Sequence, residues 1–297
     1  MRRLIFHACD WELNAVIENL PKIHNLGFNF IQISPITPVK QEGTENWIKY
    51  QPVSFNIQKD IRILLKKLCT EADKFGIKIV VDIVIRHLAG DNNGNLMPHK
   101  LCDKEIVNRP DFWLPPIPGY NAHNRDECIN RCWGMPSLNY YNEELQQIYI
   151  KFLDELIELG VYSFRLDMCK HYALPEEGCS FFTNVIGRYS DRFNYGECID
   201  LEYYWLKKYS KYIAVLTEQM FDEDDKLVTW IESHDTFHTF KTTCKMSNDM
   251  RLNEWRILLS KHKNCLWFSR PFDSIYENEY WCNRLREINI SFNEKIN

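Results

Sequence analysis

No part of the 297-residue sequence approaches the roughly 20 consecutive apolar residues that a membrane helix requires, and its most apolar run, Lys78 to Ile85, is broken by Asp82. Spanning helices are excluded on that ground, and no membrane partner is expected. An excess of positive charge is also missing, since 36 Lys and Arg face 41 Asp and Glu for a net charge of -5. So thin a charge gives no field for holding nucleic acid. Internal repeats, low-complexity tracts and flexible linkers are absent as well. The opening residues, Met1 to Asp10, turn polar too early for the apolar core of a secretory leader. The 11 cysteines form an odd set in a long chain, which argues for reduced thiols and a cytoplasmic protein. What is present is a 45% hydrophobic content, enough to bury a core in one large domain or two medium ones and to exclude disorder.

Apolar stretches of strand length alternate with segments of helical period, a pattern that predicts parallel strands and crossover helices. The predicted strands are Leu4 to Ala8, Phe30 to Ser34, Lys78 to Ile85, Tyr162 to Asp167, Phe193 to Glu197, Leu227 to Glu232 and Cys265 to Phe268, with Tyr212 to Thr217 as a weaker one. Predicted helices run from Asn14 to Asn25, Asp60 to Phe75, Glu143 to Leu159 and Tyr276 to Asn289. Eight strands in a chain of this length predict a (β/α)8 TIM barrel. Residues 88–139, rich in Gly and Pro, interrupt the rhythm and are expected to form an inserted subdomain after strand 3, leaving 1–87 and 140–297 as the barrel. Only nine residues separate Thr217 from Leu227, so a thin wall is expected around strand 6.

Functional groups in such barrels gather where strands end. Here those ends carry Arg86-His87, Arg165-Leu166-Asp167, Gly196-Glu197 and His234-Asp235. Carboxylates delivered to one mouth from three strands repel one another and shift each other's pKa values unless Arg or His groups stand between them. Retaining glycoside hydrolysis needs such a set, with one carboxylate to attack the anomeric carbon and a second, protonated, to donate to the leaving oxygen. Composition by itself does not separate this chemistry from others.

Four segments, Asp82-Ile-Val-Ile-Arg-His87, Phe164-Arg-Leu-Asp-Met-Cys-Lys-His171, Tyr195-Gly-Glu197 and Ile231-Glu-Ser-His-Asp235, stand in order at strand ends. In these the chain resembles the α-amylase family of glycoside hydrolases. Its wording is closest to bacterial α-amylases of the Bacillus subtilis type, through His7-Ala8-Cys9-Asp10-Trp11, Ile31-Gln-Ile-Ser-Pro35, Tyr50-Gln-Pro52, His171-Tyr-Ala-Leu-Pro175, Asp225 to Thr236 and Phe268-Ser-Arg-Pro271. The resemblance implies a retaining hydrolase of α-1,4-glucosidic bonds with an α-glucan or maltooligosaccharide substrate. It implies that Asp167 is the nucleophile, kept ionised by Arg165, that Glu197 is the acid/base, and that Asp235 grips the distorted sugar. By the same resemblance His234 and His87 meet the hydroxyls of that sugar, Tyr50 stacks on it, and Lys170 and His171 line the leaving-group subsite. Asp82 matches a structural position. Transglycosylation and a catalytically degenerate binding protein are the alternatives.

The sequence departs from the family in several places. Where the third-strand motif of the family normally has Asn as a calcium ligand, this chain has Arg86, and Ser137 replaces an expected Asp. A guanidinium repels cations, so no calcium site and no required cofactor are expected. About 26 residues follow Pro271, which predicts a last helix and no C-terminal β-sandwich. His99, Cys102, His123, Cys128 and Cys132 could in principle surround zinc, and Cys128-x3-Cys132 falls within the range of structural sites, but the other spacings match no zinc pattern and free, partly buried thiols are expected. Trp113, Trp133, Tyr120, Tyr140 and Tyr141 could serve sugar stacking or a small core, and the sequence does not choose.

Overall fold

The computed structural model describes residues 2–40, 46–91, 96–119, 121, 123–218, 221–270, 276 and 278–293. Gly94, Tyr120 and Pro271 lie outside the described residues. Eight parallel strands close into a barrel in chain order: β1 (Arg3–Ala8), β2 (Phe30–Ile33), β3 (Lys78–Ile83), β4 (Ser163–Leu166), β5 (Tyr195–Glu197), β6 (Ala214–Leu216), β7 (Leu227–Trp230) and β8 (Asn264–Phe268). Side chains alternate across each strand, which gives the barrel two cores. Leu4, Phe6, Val81, Ile83, Phe164 and Leu166 pack outward against the helices. Ile5, Phe30, Val80, Tyr195, Leu216 and Leu266 fill the interior. The parity that turns Phe164 and Leu166 outward sends Arg165 to the inside.

The covering helices are α1 (Leu13–Asn25), α2 (Lys59–Asp73), α5 (Glu143–Glu158), α8 (Asn248–Lys261) and α9 (Glu279–Asn293). Shorter ones are α3 (Lys104–Val107) and α4 (Arg125–Asn130), within residues 88–139, together with α6 (Phe181–Asn184) and α7 (Tyr203–Tyr209). α5 begins at Asn142, whose side chain accepts from the Glu144 and Leu145 N–H groups and satisfies the open first turn. Among the described residues no helix is long and apolar enough to cross a membrane.

Several strands are shorter than the apolar runs that predict them. β3 ends at Ile83, not Ile85, because its last partner on β4 is Leu166; Val84 and Ile85 stay buried without a ladder. β7 ends at Trp230 opposite Leu266, short of Glu232. The helix α8 has no counterpart among the predicted elements. Its buried face combines Leu252, Trp255 and Leu259 with Arg251, and that charge blurs the apolar period. Between β6 and β7 one 3-10 turn, Asp224–Lys226, is the regular structure among the described residues.

Candidate active site

The barrel register sets the geometry. Asp82 on β3 pairs with Arg165 on β4, and Arg165 pairs with Tyr195 on β5, so Glu197 follows one pleat higher on the same face. Asp167 stands just beyond β4, on the same parity as Arg165. The buried Arg165 guanidinium then reaches all three acids. Its Nη1 donates to Asp82 Oδ1 at 2.8 Å and Asp167 Oδ1 at 2.7 Å, and Nη2 meets Glu197 Oε1 at 2.6 Å.

Three carboxylates around one cation in a dry site hold more negative charge than it neutralises, so protonation is favoured at some of them. Burial pushes Asp167 well above the usual carboxylate range, with the charges of Glu197 and Asp82 adding to it against the pull of Arg165. Burial raises Asp82 too. At Glu197 burial is again the largest influence, but Arg165, His234, the Met168 N–H and Lys170 together outweigh it and leave the group lowered. Burial thus pushes Asp167 toward its neutral form, while the neighbouring cations favour the charged form of Glu197. Double displacement by these residues needs the reverse.

The turn after β4 carries the next contacts. Met168 takes the left-handed conformation with φ 50° and aims its N–H at Glu197 Oε2, 3.0 Å away. Strain of this kind in a side-chain-bearing residue persists only where the surroundings enforce it. Lys170 Nζ donates to the Ile199 carbonyl at 2.7 Å, tying this turn to the segment after Glu197. Gly196 sits under the turn, where a Cβ would stand 2.3 Å from Cys169 Sγ; only glycine fits that approach.

The remaining candidates divide. Tyr50 donates its hydroxyl to Asp82 Oδ2 at 2.8 Å, and its ring lies parallel to His234 at 5.3 Å between centroids. One aromatic face is thus engaged by His234 in this state. His87 is buried, and its Nε2–H donates to the Tyr50 carbonyl at 2.8 Å; burial lowers its pKa to about 4. Its visible role is to seat Tyr50 rather than to meet a ligand through that nitrogen. His171 does not line the mouth. It is buried at the junction with residues 88–139, its Nδ1 donating to the Cys128 carbonyl at 2.8 Å, and burial lowers its pKa to about 3. Arg86 Nε donates to the His171 carbonyl at 3.0 Å and ties this residue to the junction. Asp235 opens a π-helical turn, Asp235–Thr239, with His234 Nε2 at 3.6 Å.

His234, Asp235, Glu197 and Arg165 line one small cleft with His7, Gln32, Trp230 and Ser233. Asp167, Tyr50 and His87 are not among its lining residues. Two residues inside the matched segments, Glu232 and Arg270, had no role in the sequence reading. Arg270 holds the buried Glu232 through Nε and Nη2 at 2.7–3.0 Å while donating to the Met246 and Thr243 carbonyls, and Arg251 adds a contact of 3.3 Å. This clasp fixes the chain just before His234. The signal available in the sequence was Glu and Arg placed at the ends of β7 and β8.

Of the two residues that stand where the resemblance implies calcium ligands, Arg86 donates through Nη2 to the Ile129 carbonyl at 2.9 Å and the Ser137 hydroxyl donates to the Met135 carbonyl at 3.3 Å. Cys102, Cys128 and Cys132 face different carbonyls, of Ala89, Lys170 and Pro115, rather than one centre. Of the insertion aromatics, Tyr140 is buried, Trp113 is half-buried and Trp133 is exposed.

No family model matches the chain. An α-amylase of Clostridium acetobutylicum is 32% identical over 219 residues, 66% of this chain and 28% of that protein. An α-amylase of Butyrivibrio fibrisolvens is 25% identical over 347 aligned positions, 93% of this chain and 36% of that protein. The chain thus spans about a third of the length of these curated relatives. In fold it is similar to the α-amylase of Geobacillus thermoleovorans solved with acarbose, with a TM-score of 0.78, 16% identity, and coverage of 99% of this chain and 78% of that one.

Proposed function

The chain belongs to the α-amylase family, and from that premise we propose that it is a retaining α-glucan hydrolase that cleaves α-1,4 bonds by double displacement. The observation that carries the proposal is the single guanidinium of Arg165 holding both Asp167 and Glu197, with Asp235 lining the same cleft as Glu197. Asp167 attacks the anomeric carbon while Glu197 protonates the departing oxygen; Glu197 then takes a proton from water, which releases the sugar. Attack requires Asp167 charged and Glu197 protonated, so substrate binding has to shift the balance at both groups. A sugar hydroxyl that displaces Glu197 from Arg165 would remove the contact that most favours its charge. Acarbose in the related Geobacillus enzyme supports a glucan-like ligand.

A second reading, a glucan-binding protein without turnover, is favoured by one observation: Asp167 does not line the cleft in this state. Incubation with maltose, maltoheptaose, glycogen, pullulan and sucrose, with products resolved by chromatography, separates the readings. A hydrolase releases short maltooligosaccharides from maltoheptaose, and a transglycosylase also makes products longer than the substrate. Binding of maltoheptaose with no product after prolonged incubation would support the silent reading. Asp167→Asn should lower turnover by a factor of about 10³ or more and leave binding measurable.

A further inference from the structure

Arg86 is among the most buried cations of the molecule, 1% exposed, yet among the described residues no carboxylate lies within ion-pair distance of it. A buried charge is costly unless its surroundings replace water. Here carbonyl oxygens do so. Nε donates to the His171 carbonyl at 3.0 Å, Nη2 to the Ile129 carbonyl at 2.9 Å and Nη1 to the Leu138 carbonyl at 3.4 Å, with the Tyr140 ring 5.0 Å below the guanidinium.

An all-oxygen cage drawn from separate stretches of chain is what a hard divalent cation selects. The guanidinium occupies the middle of this one, and its fork matches oxygens that lie apart better than a point charge does. We propose that Arg86 is a built-in cation that makes the junction metal-independent, clamps residues 88–139 to the barrel and positions the turn that follows Asp167. Ile129 lies in α4 and Leu138 near the end of the insertion, while His171 lies in the turn after β4, so the guanidinium, itself just beyond β3, joins the insertion to the barrel at both. Tyr140 reinforces the joint, donating to the Ile129 carbonyl at 3.1 Å and accepting from the Ala173 N–H at 2.9 Å. The clamped turn is the one whose Met168 N–H meets Glu197 and whose Lys170 holds Ile199. Arg86 is therefore a positioning residue, acting through the turn that carries Met168 and His171.

The effect on turnover rests on the function proposed above; stability and metal content do not, which keeps the two failures apart. The full chain is dialysed against EDTA, then measured with and without millimolar calcium chloride. Melting should move by less than about 1 °C, and metal analysis should find no calcium retained in proportion to protein. Arg86→Lys keeps the charge but cannot reach three separated carbonyls. It should melt about 5 °C lower, expose 88–139 to protease, and lose roughly tenfold in kcat with KM unchanged. Arg86→Leu should do at least as much, and if it fails to fold, Arg86→Lys decides. Calcium bound in proportion to wild-type protein, or a melting point that falls in EDTA, would overturn metal independence. Melting and proteolysis of both variants at wild-type levels would overturn the clamp. A lowered melting point with wild-type kcat would overturn the positioning role. If the wild type has no turnover, the functional proposal fails while the melting, metal and proteolysis results still judge the clamp.

Discussion

At the scale of single residues the crowded charge around Arg165 has consequences that can be measured. Asp167 is raised above the usual carboxylate pKa by burial and its acidic neighbours. A group of this kind stabilises the fold fully below its unfolded pKa of about 4 and loses that contribution as pH rises through the folded value. Asp167→Asn should therefore raise the melting temperature near pH 7 by about 3 °C, with the gain vanishing toward pH 4. A variant that melts below wild type near neutrality would contradict this. Because Asp167 must be charged to attack and burial raises its pKa, the acidic limb of kcat/KM should lie above the ordinary carboxylate range, and a limb at about pH 4 would show that the cluster does not act together. Gly196→Ala tests the packing beneath Glu197. Its Cβ would stand 2.6 Å from Cys169 Cβ as well as against the sulfur, so the variant should lose about 1–3 kcal/mol in urea melts and at least tenfold in kcat. Combining it with Cys169→Gly removes the clash and should recover most of both.

Among the elements, the loops that end the strands decide whether the acids meet. Glu232 lies buried between Arg270 and Arg251, and its clasp carries the approach to His234 and Asp235. Glu232→Gln leaves two guanidinium groups without their shared charge and should lose about 3 kcal/mol in denaturant melts, with KM for maltoheptaose raised. Melting and KM at wild-type values would show that the turn holds itself. This clasp was hidden in the sequence because its partners are 38 residues apart. The same limit applies to His171. Its motif points to the mouth, whereas Arg86 donates to its carbonyl and its ring is buried against the Cys128 carbonyl of the insertion. Helix α8 escaped for a local reason, the charged Arg251 on its buried face. The strands were legible because each carries an apolar inward or outward face with a period of two, and their ends were not, because pairing stops where the neighbour stops.

For the molecule as a whole, the closed eight-strand barrel follows from the spacing of apolar runs, and the convergence of Arg165, Asp167 and Glu197 follows from their parity on neighbouring strands. What spacing cannot convey is the state of the site: which acid holds the proton, that Tyr50 rests on His234, and that the cleft opens on the Glu197 side of Arg165. These depend on side-chain contacts between distant segments. All of the proposed chemistry requires that Asp167 reach a sugar whose leaving group Glu197 serves. The most direct measurement uses Glu197→Gln with α-maltotriosyl fluoride, whose fluoride departs without acid help, followed by mass spectrometry of the digested protein. A glycosyl adduct on the peptide containing Asp167, together with fluoride release, is the expected result. Fluoride retained and Asp167 unmodified, with the sugar still bound, would contradict it.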